Sequence, residues 1–563
     1  NFHRMINVVC VGWVKQEEVV RSSAKTPGHY LVMFGSTTGR DGIAGVSFAS
    51  ETFSDEEEEN RGAVQIGDPL SKKVVIDTLQ ELVEEKLLEG LQDFGGGGMT
   101  SAAGELARAG GTGVEIDLEK VPLREVDMKP NEIVISESQE RMLAIVAPEN
   151  LNRVVLLLEK NSTPYGIIGK VTNDGHYTAK WHGEVKARLP ISLLVDGFPT
   201  PERIEGKVPA QTESMSWFEE PEDYKKNLLE ILGSINICDR SWVYSQYDQH
   251  VQSNTVVDLG ENSGVLEFPN GRKLAFTSDC NSFWCLLDPQ QGTANSACES
   301  LRNLVAMGAK PIFIADCLNF GNPERPESYG QFVESVRGLG RFSNDFDIPI
   351  IGGNVSLYNE AEVDGEIKRI NPTPQIMIAG MFDRGFTPIR RNLVTPLANI
   401  FLVGETLPEL NGSEYQRVTT GQVKGIPPRY KPEVEKRSMQ VILEAHEKGL
   451  IRSCNNVGRG GIAIALMKMV LGSEYGFKLD MNYVPGTANS LAQRLYSETS
   501  GRYLAEVTES KQSEFLEIVE KHGSSVCELG LTVKDPVADF GIFSVPLDEA
   551  REVFVNGLKK YLE

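Results

Sequence analysis

One segment of this chain occurs twice, and this duplication constrains the fold more than any other feature. Residues 93–122 (DFGGGGMTSAAGELARAGGTGVEIDLEKVP) align without a gap with residues 456–485 (NVGRGGIAIALMKMVLGSEYGFKLDMNYVP), and eight of the thirty positions are identical. Unrelated segments of ordinary composition would share about two. Because a repeated sequence indicates a repeated structure, we predict two lobes of the same fold.

The similarity continues beyond the thirty aligned positions. Ser136–Leu143 corresponds to Ser497–Leu504, and Val9–Gly12 followed by Leu31–Gly35 corresponds to Ile378–Gly380 followed by Ile400–Gly404. Gly12 has eleven residues before it, whereas about 150 residues lead to Gly380. We therefore expect the first copy to be truncated, with one lobe absent before Asn1.

Composition predicts a globular chain of several domains and excludes some classes of function. The 563 residues, 40% of them apolar, suffice for about three to five domains. No run approaches the roughly 18 apolar residues of a membrane span, and no signal peptide is visible. The eight cysteines lack CxxC spacing, as is typical of reduced thiols in a cytoplasmic protein.

A formal net charge of −23 argues against nucleic acid as a partner, because binding a phosphate backbone requires a basic surface. Small phosphorylated ligands are not excluded, since backbone amides, single arginines and metal ions can hold them.

Alternating apolar runs predict an α/β (α+β) fold. The pattern predicts strands at 6–14, Tyr30–Phe34, Arg141–Ala147, Val154–Glu159, Lys273–Thr277 and Pro311–Ala315, and helices at Val74–Leu91, Ser101–Arg108 and Thr293–Met307. The stretch 201–222 is rich in proline and charge and is the best candidate for a linker.

The four glycines Gly95–Gly98 lie between a predicted strand and a predicted helix. Glycine lets a ligand approach the backbone, and a helix N-terminus offers free N–H groups to an anion. A tight turn without a ligand explains the glycines equally well. Asp93 favours a ligand, because a carboxylate beside a phosphate suits Mg²⁺. Since Asn456 replaces this acid in the second copy, we expect the first copy alone to hold a metal.

Further polar residues follow predicted strands or precede them, where binding sites are common. They are Glu137-Ser138-Gln139, Asp279, Asp316 with the polar turn after it, and Gly353-Asn354-Val355-Ser356. For each of them an ordinary capped turn is the alternative, and the chemistry alone assigns no role to the turn at Asp316.

Nucleophilic catalysis finds little support in the sequence. No Ser or Cys stands in a G-x-[SC]-x-G elbow, and the seven histidines do not cluster with acids. His250 alone lies in a dense polar segment, where a structural histidine is more common than a catalytic one.

These residues resemble those of the large subunit of phosphoribosylformylglycinamidine synthase, the formylglycinamide ribonucleotide amidotransferase of purine biosynthesis, in its short form. The matching stretches occur in the family's order and span the chain: TTGRDGIAGVSFAS (37–50), AVQIGDP (63–69), QDFGGGGMTS (92–101), ISESQERM (135–142), QYDQHVQSNTV (246–256), DCLNFGNPE (316–324) and GGNVSLYN (352–359). Two departures are Gly96, where the family usually has alanine, and the insertion of Gln249-His250, which leaves the register of His250 open.

The resemblance implies a duplicated two-subdomain unit of the aminoimidazole ribonucleotide synthetase-like superfamily, with the first subdomain largely missing. The implied parts are the last strand of that subdomain (1–16), a synthetase C-terminal-type subdomain (17–200), a linker (201–222), an N-terminal-type subdomain (223–385), a second C-terminal-type subdomain (386–545) and a tail helix (546–563).

The resemblance also implies the roles of individual residues. Substrate would be bound by Gln65, Glu137, Ser138, Gln139 and Ser356, ATP by Asp279 and Gly353, and Mg²⁺ by Asp93 and Asn354. The family's catalytic histidine would precede Asn1, so no catalytic residue is expected in this chain.

The implied reaction is the ATP-dependent conversion of formylglycinamide ribonucleotide to formylglycinamidine ribonucleotide. ATP would phosphorylate the amide oxygen, and ammonia would displace the resulting phosphate. The ammonia would come from a separate glutaminase subunit, which in this family associates with a small bridging subunit. The alternative is a non-catalytic, nucleotide-binding scaffold of the same fold.

Overall fold

A computed structural model of the chain describes residues 5–43, 65–208, 211 and 215–562. Parts of four predicted segments lie outside these ranges: residues 1–4 of the first strand, 44–64 of the first C-terminal-type subdomain with parts of the stretches 37–50 and 63–69, most of 209–214 in the linker, and the last residue of the tail. Besides the elements named below, short 3₁₀ helices occur at Gln16–Glu18, Leu118–Lys120, Val251–Ser253, Glu509–Lys511 and Lys559–Tyr561.

The first copy of the repeat is a seven-stranded sheet with helices on its faces. Its strands are β1 (Tyr30–Gly35), β2 (Leu88–Asp93), β3 (Gly113–Asp117), β4 (Arg141–Val146), β5 (Tyr165–Thr172), β6 (His176–Trp181) and β7 (Glu184–Pro190), in the spatial order β2-β4-β1-β5-β3-β6-β7. Its helices are α1 (Pro69–Glu84), α2 (Gly98–Gly110), α3 (Pro130–Ile135), α4 (Leu151–Lys160) and α5 (Ile191–Asp196).

The middle lobe follows the linker and contains a six-stranded sheet and a hairpin. Its strands are β8 (Thr255–Val257), β9 (Gly264–Glu267), β10 (Lys273–Asp279), β11 (Lys310–Asn319), β12 (Ile350–Ser356), β13 (Glu360–Val363), β14 (Glu366–Arg369) and β15 (Thr373–Met381). The sheet has the order β12-β11-β15-β10-β9-β8, and β13 pairs with β14. The helices are α6 (Tyr224–Leu232), α7 (Ser241–Tyr244), α8 (Ser282–Leu287), α9 (Pro289–Ala306) and α10 (Pro326–Phe346).

The second copy repeats the sheet of the first. Its strands are β16 (Asn399–Val403), β17 (Ile451–Asn456), β18 (Gly476–Leu479), β19 (Tyr503–Val507), β20 (Val526–Val533), β21 (Val537–Asp539) and β22 (Ser544–Pro546). The order β17-β19-β16-β20-β18-β21-β22 matches that of the first copy strand for strand, which confirms the predicted duplication. Its helices are α11 (Glu414–Thr420), α12 (Pro432–Glu447), α13 (Gly461–Leu471), α14 (Leu491–Tyr496), α15 (Gln512–His522) and α16 (Leu547–Asn556).

Packing joins the middle lobe to the second copy. One hydrophobic core contains side chains of both, whereas the first copy has two cores of its own. Helix α9 is buried on most of its surface because it lies between the middle sheet and the second copy. Among the described residues, none of the helices combines the length and the apolar composition that a membrane span requires.

Three predicted elements differ from the structure. Residues 5–15 form no strand, and Ile6 is 87% exposed, because this segment pairs with no other strand in the structure. Val154–Glu159 belongs to helix α4, whose buried Val154, Leu157 and Leu158 have helical spacing. The predicted helix ending at Leu91 stops at Glu84, since Lys86 has a φ of 55° and strand β2 begins at Leu88.

Candidate functional site

The glycine loop of the first copy connects β2 to α2. Asp93 ends the strand, and Gly97 adopts a left-handed conformation (φ 79°) just before the helix begins at Gly98. A Cβ atom at Gly98 would lie 2.2 Å from the carbonyl oxygen of Ser136, so only glycine lets the loop approach this segment. The loop therefore directs the first N–H groups of α2 towards the Ser136–Gln139 segment.

Glu137 is the centre of this cluster. One of its carboxylate oxygens accepts a hydrogen bond from the backbone N–H of Gly97 (3.0 Å), and the other accepts one from Nε2 of Gln65 (2.9 Å). The glycine loop, Glu137 and Gln65, which the sequence predicted to share a site, are thus in direct contact. The carboxylate retains further lone pairs that could accept hydrogen bonds from a ligand.

The two residues after Glu137 differ in their accessibility. Ser138 is 0% exposed, and its hydroxyl donates to Asp41 and accepts from the backbone N–H of Gly39 (2.9 Å). Gln139 is half-buried and donates its Nε2 to the carbonyl oxygen of Glu137 (3.1 Å). Ser138 is therefore an internal residue, as is Glu137 with 3% exposed, and the predicted contact of Ser138 with substrate stays a prediction.

Arg141 binds the backbone of the Ser136–Gln139 segment, and the sequence did not predict this role. Its guanidinium donates to the carbonyl oxygens of Ser136 and Ser138, both at 2.6 Å, and to the hydroxyl of Thr38 (3.0 Å). Burial lowers the pKa of Arg141 to about 10, although the charge of Asp41 opposes this shift. Arg502 makes the same three contacts in the second copy, so the arginine shared by the two repeats was the available signal.

Asp93 is exposed at the end of β2. Within the described residues its carboxylate accepts one long hydrogen bond, from Nε2 of Gln92 (3.5 Å). An exposed carboxylate beside a helix N-terminus is chemically suited to a Mg²⁺ ion that also contacts phosphate oxygens.

A second polar cluster lies on the edge of the middle lobe. Strand β12 runs parallel to β11 with Gly353 opposite Asp316, and a Cβ atom at Gly353 would lie 2.6 Å from the Asp316 carboxylate. Burial raises the pKa of Asp316. Asn354 and Ser356 lie on the same strand, and all four residues line a cavity of about 720 Å³. Met5–Cys10 lies along the other side of this cavity.

The structure places Asp279 away from this cluster, and its predicted role in nucleotide binding stays a prediction. Asp279 lines a separate cavity of about 150 Å³ between the middle lobe and the second copy. Asn303 Nδ2 donates to its carboxylate (2.8 Å). Burial, followed by the charge of Glu299, raises the pKa of Asp279 to about 7. Asp316 is the acid that lies beside Gly353, and the strand order that places it there could not be read from the sequence.

In the second copy the protein's own groups occupy the corresponding positions. Asn456 ends β17 as Asp93 ends β2, and its Oδ1 accepts from Nε of Arg302 (2.7 Å) while its Nδ2 donates to Asn303 (3.1 Å). Glu498 accepts from the N–H of Gly460 and from that of Glu414 in helix α11, both at 2.8 Å. Both N–H groups donate to the same carboxylate oxygen of Glu498, whereas Gly97 and Gln65 donate to different oxygens of Glu137.

His250 lies apart from these clusters. Its Nε2 is 3.0 Å from the carboxylate of Asp258, and both side chains are largely exposed. Over the ranges that the structure describes, no group of three or more His, Cys, Asp and Glu side chains is placed to hold a metal ion by itself. Asp93 and Asn354, the predicted metal ligands, lie in different lobes.

Comparisons with known proteins agree with this architecture. Residues 26–182 and 399–541 match the family described as AIR synthase related protein, C-terminal domain, and residues 260–382 match its N-terminal domain counterpart. Along the chain these matches fall on the first copy, the middle lobe and the second copy.

Relatives and solved structures match over most of the chain. Phosphoribosylformylglycinamidine synthase subunit PurL of Caldanaerobacter subterraneus subsp. tengcongensis is 38% identical over 99% of this chain and 76% of its own length. The chain also resembles T. maritima PurL complexed with FGAR (25% identity, TM-score 0.67, 92% of this chain and 74% of that chain) and complexed with ATP (25%, 0.63, 92% and 73%). The structure of PurLQS from Thermotoga maritima has the same fold (24%, 0.65, 92% and 74%).

The chain covers about three quarters of the length of these relatives. These alignments do not support the expectation of a truncated first copy, which stays a prediction. The matched domains, their order and the 38% identity over 99% of the chain together show the family. The chain belongs to the family of phosphoribosylformylglycinamidine synthase subunit PurL.

Proposed function

We propose that this protein is the ATP-dependent ligase subunit that converts formylglycinamide ribonucleotide (FGAR) to formylglycinamidine ribonucleotide in purine biosynthesis. The observation that supports this most strongly is the 38% identity to a PurL subunit over 99% of the chain. The related T. maritima proteins were solved with FGAR and with ATP, which are two of the three substrates of this reaction.

The first copy provides the groups that would bind the ribonucleotide. Glu137 is fixed by the N–H of Gly97 and by Gln65, so its remaining lone pairs point in set directions. We assign substrate contacts to Gln65, Glu137 and Gln139 here and to Ser356 in the middle lobe, with Ser138 as the buried support of the segment. A carboxylate held in this way can accept hydrogen bonds from hydroxyl or amide groups without first having to be ordered.

The middle lobe provides the nucleotide side of the site. Gly353 leaves the backbone of edge strand β12 open, and we assign nucleotide binding to Gly353 and Asp279, with Asp316 beside Gly353 as a further contact. We propose that the first copy spans residues 17–200, the middle lobe 223–385 and the second copy 386–545.

Asp93 and Asn354 are the residues that would hold Mg²⁺, since carboxylate and amide oxygens are its usual ligands in proteins. When bound, the ion neutralises charge on the phosphoryl group that is transferred. The chain's own contribution is to position the amide oxygen of the substrate against the γ-phosphate, so that the phosphorylated amide forms and ammonia then displaces the phosphate.

Ammonia would be supplied by a separate glutaminase subunit, joined to this chain through a small bridging subunit. The T. maritima relative was solved as PurLQS, which supports an assembly of this kind. We place the assembly in the cytoplasm, where purine nucleotides are made.

The test is turnover of FGAR by the purified protein with ATP, MgCl₂ and ammonium chloride, followed by mass spectrometry of the product and by ADP release. We expect product with ammonium chloride, and none with glutamine unless the glutaminase and bridging subunits are added. Unaided use of glutamine would contradict the proposed partnership. Tight ATP binding without turnover, in the presence of all subunits, would favour the non-catalytic scaffold instead.

A further inference from the structure

Asp41 connects the parts of the first-copy cluster, although the resemblance assigns it no role. Its carboxylate accepts a hydrogen bond from the hydroxyl of Ser138 and forms an ion pair with Arg124. Its backbone carbonyl accepts a hydrogen bond from the N–H of Glu137 (3.0 Å). The side chain of Asp41 is only 7% exposed, whereas that of Arg124 is 37% exposed.

These contacts determine how the hydroxyl of Ser138 is oriented. A serine hydroxyl has one proton to donate, and its shortest contact is with the Asp41 carboxylate. The Ser138 oxygen in turn accepts from the N–H of Gly39 (2.9 Å). Residues 39–41 and 137–138 therefore hold each other through three hydrogen bonds, and Arg124 stabilises the carboxylate on which one of them depends.

The second copy keeps the backbone contact and the contact between the hydroxyl and the loop N–H, but it lacks the contacts of the carboxylate. The carbonyl of Glu409 accepts from the N–H of Glu498 (3.1 Å), as Asp41 does from Glu137. The N–H of Leu407 donates to the hydroxyl of Thr499 (3.1 Å), as that of Gly39 does to Ser138. The Glu409 carboxylate, however, accepts from the N–H of Arg429 (3.1 Å), and the hydroxyl of Thr499 donates to the carbonyl of Leu407 (3.2 Å) rather than to this carboxylate.

The arginine is also specific to the first copy. The N–H of Arg124 donates to the carbonyl of Thr38 (2.9 Å), and the corresponding N–H in the second copy is that of Thr487, which donates to Thr406 (3.0 Å). Among the described residues, the contacts of a carboxylate with the serine hydroxyl and with an arginine are therefore found at Asp41 in the first copy and not at Glu409 in the second.

We propose that Asp41, oriented by Arg124, is a positioning residue that holds the Glu137–Gln139 segment in its substrate-binding conformation. This inference rests on the proposed function, because it assumes that the segment binds the ribonucleotide. Asp41 itself does not touch the substrate, so its loss should weaken binding of FGAR and leave the use of ATP nearly unchanged.

The first test is Asp41→Asn, which removes the charge and keeps the shape. The amide oxygen can still accept from Ser138, but the hydrogen bond loses its charge assistance and the ion pair with Arg124 is lost, so we expect a rise of about tenfold in KM for FGAR, with KM for ATP changed less than about twofold. Arg124→Gln should give the same pattern, and Arg124→Lys should restore most of the affinity. Glu409→Gln, the matched change in the second copy, should leave both KM values unchanged. An unchanged KM for FGAR in Asp41→Asn would overturn the proposal.

A double-mutant cycle identifies the route of the effect. If Asp41 acts through Ser138, then Ser138→Ala raises KM for FGAR and adding Asp41→Asn raises it little further. Fully additive effects would overturn this route.

Amide hydrogen exchange separates the failure of this inference from the failure of the proposed function. Absence of turnover in the wild type with all subunits present would refute the proposed function alone. Exchange at residues 137–139 needs no turnover, and it should become faster in Asp41→Asn but not in Glu409→Gln. Equal exchange in the wild type and Asp41→Asn would overturn the positioning role.

Discussion

At the scale of single residues, the two copies differ most where β2 and β17 end. Asp93 and Asn456 precede loops of the same shape, since Gly97 and Gly460 have φ values of 79° and 80°. In the second copy both ends of the amide are satisfied by Arg302 and Asn303. A guanidinium cation thus lies where the first copy would hold a metal cation. The loop shape has been retained while the chemistry has changed.

Asp93→Asn copies the second-copy residue into the first. We expect the Mg²⁺ concentration needed for half-maximal turnover to rise roughly 10- to 100-fold, because changes around metal ligands commonly have effects of this size. The thermal midpoint should hardly move, since surface substitutions usually change stability by less than about 0.5 kcal/mol. Turnover measured against Mg²⁺ with ammonium chloride decides the outcome.

Glu105→Gln is the matched control for this substitution. Glu105 is exposed on α2 and accepts from the same Gln92 side chain (3.2 Å), so the charge change is identical and close by. It should not alter the Mg²⁺ requirement. If both variants respond alike, general charge near the loop explains the effect, and Asp93 is not a ligand.

The sequence predicted those site residues that lie close together along the chain or that have a counterpart in the other copy of the repeat. Asp93, the glycines and Glu137 could be predicted because each has a counterpart in the second copy. The choice between Asp279 and Asp316 could not be made, because both follow strands of the middle sheet. Only the parallel pairing of β11 with β12 shows that Asp316 lies beside Gly353.

At the scale of secondary-structure elements, the prediction was accurate where a segment is duplicated and poor where it is short and apolar. Residues 154–159 contain both a helical and a strand-like apolar pattern, and local sequence cannot distinguish them over six residues. Strand formation at 6–14 required a neighbouring strand, which a sequence pattern cannot supply. The strand order of both copies was beyond prediction, since it depends on long-range pairing.

Glu498, in the segment that precedes strand β19, makes the stability of the second copy sensitive to pH. Burial raises its pKa to about 8, although the charge of Arg459 and the N–H groups of Glu414 and Gly460 oppose this. An acid whose folded pKa lies above its unfolded value is protonated in the folded state at pH values where the unfolded chain has lost the proton. Its contribution to stability is therefore complete at low pH and is lost as the pH rises through about 8.

Glu498→Gln should remove this loss while keeping the acceptor for both N–H groups. We expect the free energy of unfolding of the variant to gain on that of the wild type by on the order of 1 kcal/mol per pH unit between about pH 5 and 8. Thermal midpoints of both proteins at pH 5 and pH 8 measure this gain. Glu528→Gln, an exposed change on β20, should show no pH-dependent difference. A constant offset for Glu498→Gln would contradict the raised pKa.

At the scale of the whole molecule, helix α9 makes the middle lobe and the second copy one unit. Arg302 of α9 forms an ion pair with Glu435 of α12, and both side chains are 1% exposed. Burial alone would lower the pKa of Arg302, but the charge of Glu435 raises it above its ordinary value. Loss of either partner would leave a buried charge unpaired, which typically costs about 3–5 kcal/mol. The contact between these lobes is thus specified by charge as well as by apolar packing.

His446 makes the same contact sensitive to acid. It lies on α12, its Nε2 is 3.1 Å from the carbonyl oxygen of Ala306 at the end of α9, and its ring packs edge-on against Phe386. Burial lowers its pKa to about 4, although the hydrogen bond to Ala306 opposes this. In the unfolded chain the imidazole binds a proton near pH 6.5, whereas in the folded protein it stays neutral until the pH approaches 4. Stability from this group is therefore present above about pH 6.5 and is lost as the pH falls towards 4.

His446→Gln keeps a donor for the Ala306 carbonyl and removes the titration. Wild-type protein should lose about 2 kcal/mol through this group between pH 6.5 and 5, and the variant should lose none of it. The variant will be less stable than the wild type at pH 7.5, because glutamine fills the site less well, but the difference in thermal midpoint should shrink as the pH falls. All other titrating groups are common to both proteins, so the change in that difference reports on His446 alone. His250→Gln, a change at an exposed histidine, serves as control and should have the thermal midpoint of the wild type at both pH values. If the midpoint of His446→Gln instead falls in parallel with that of the wild type, the contact between α9 and α12 does not respond to acid through this histidine.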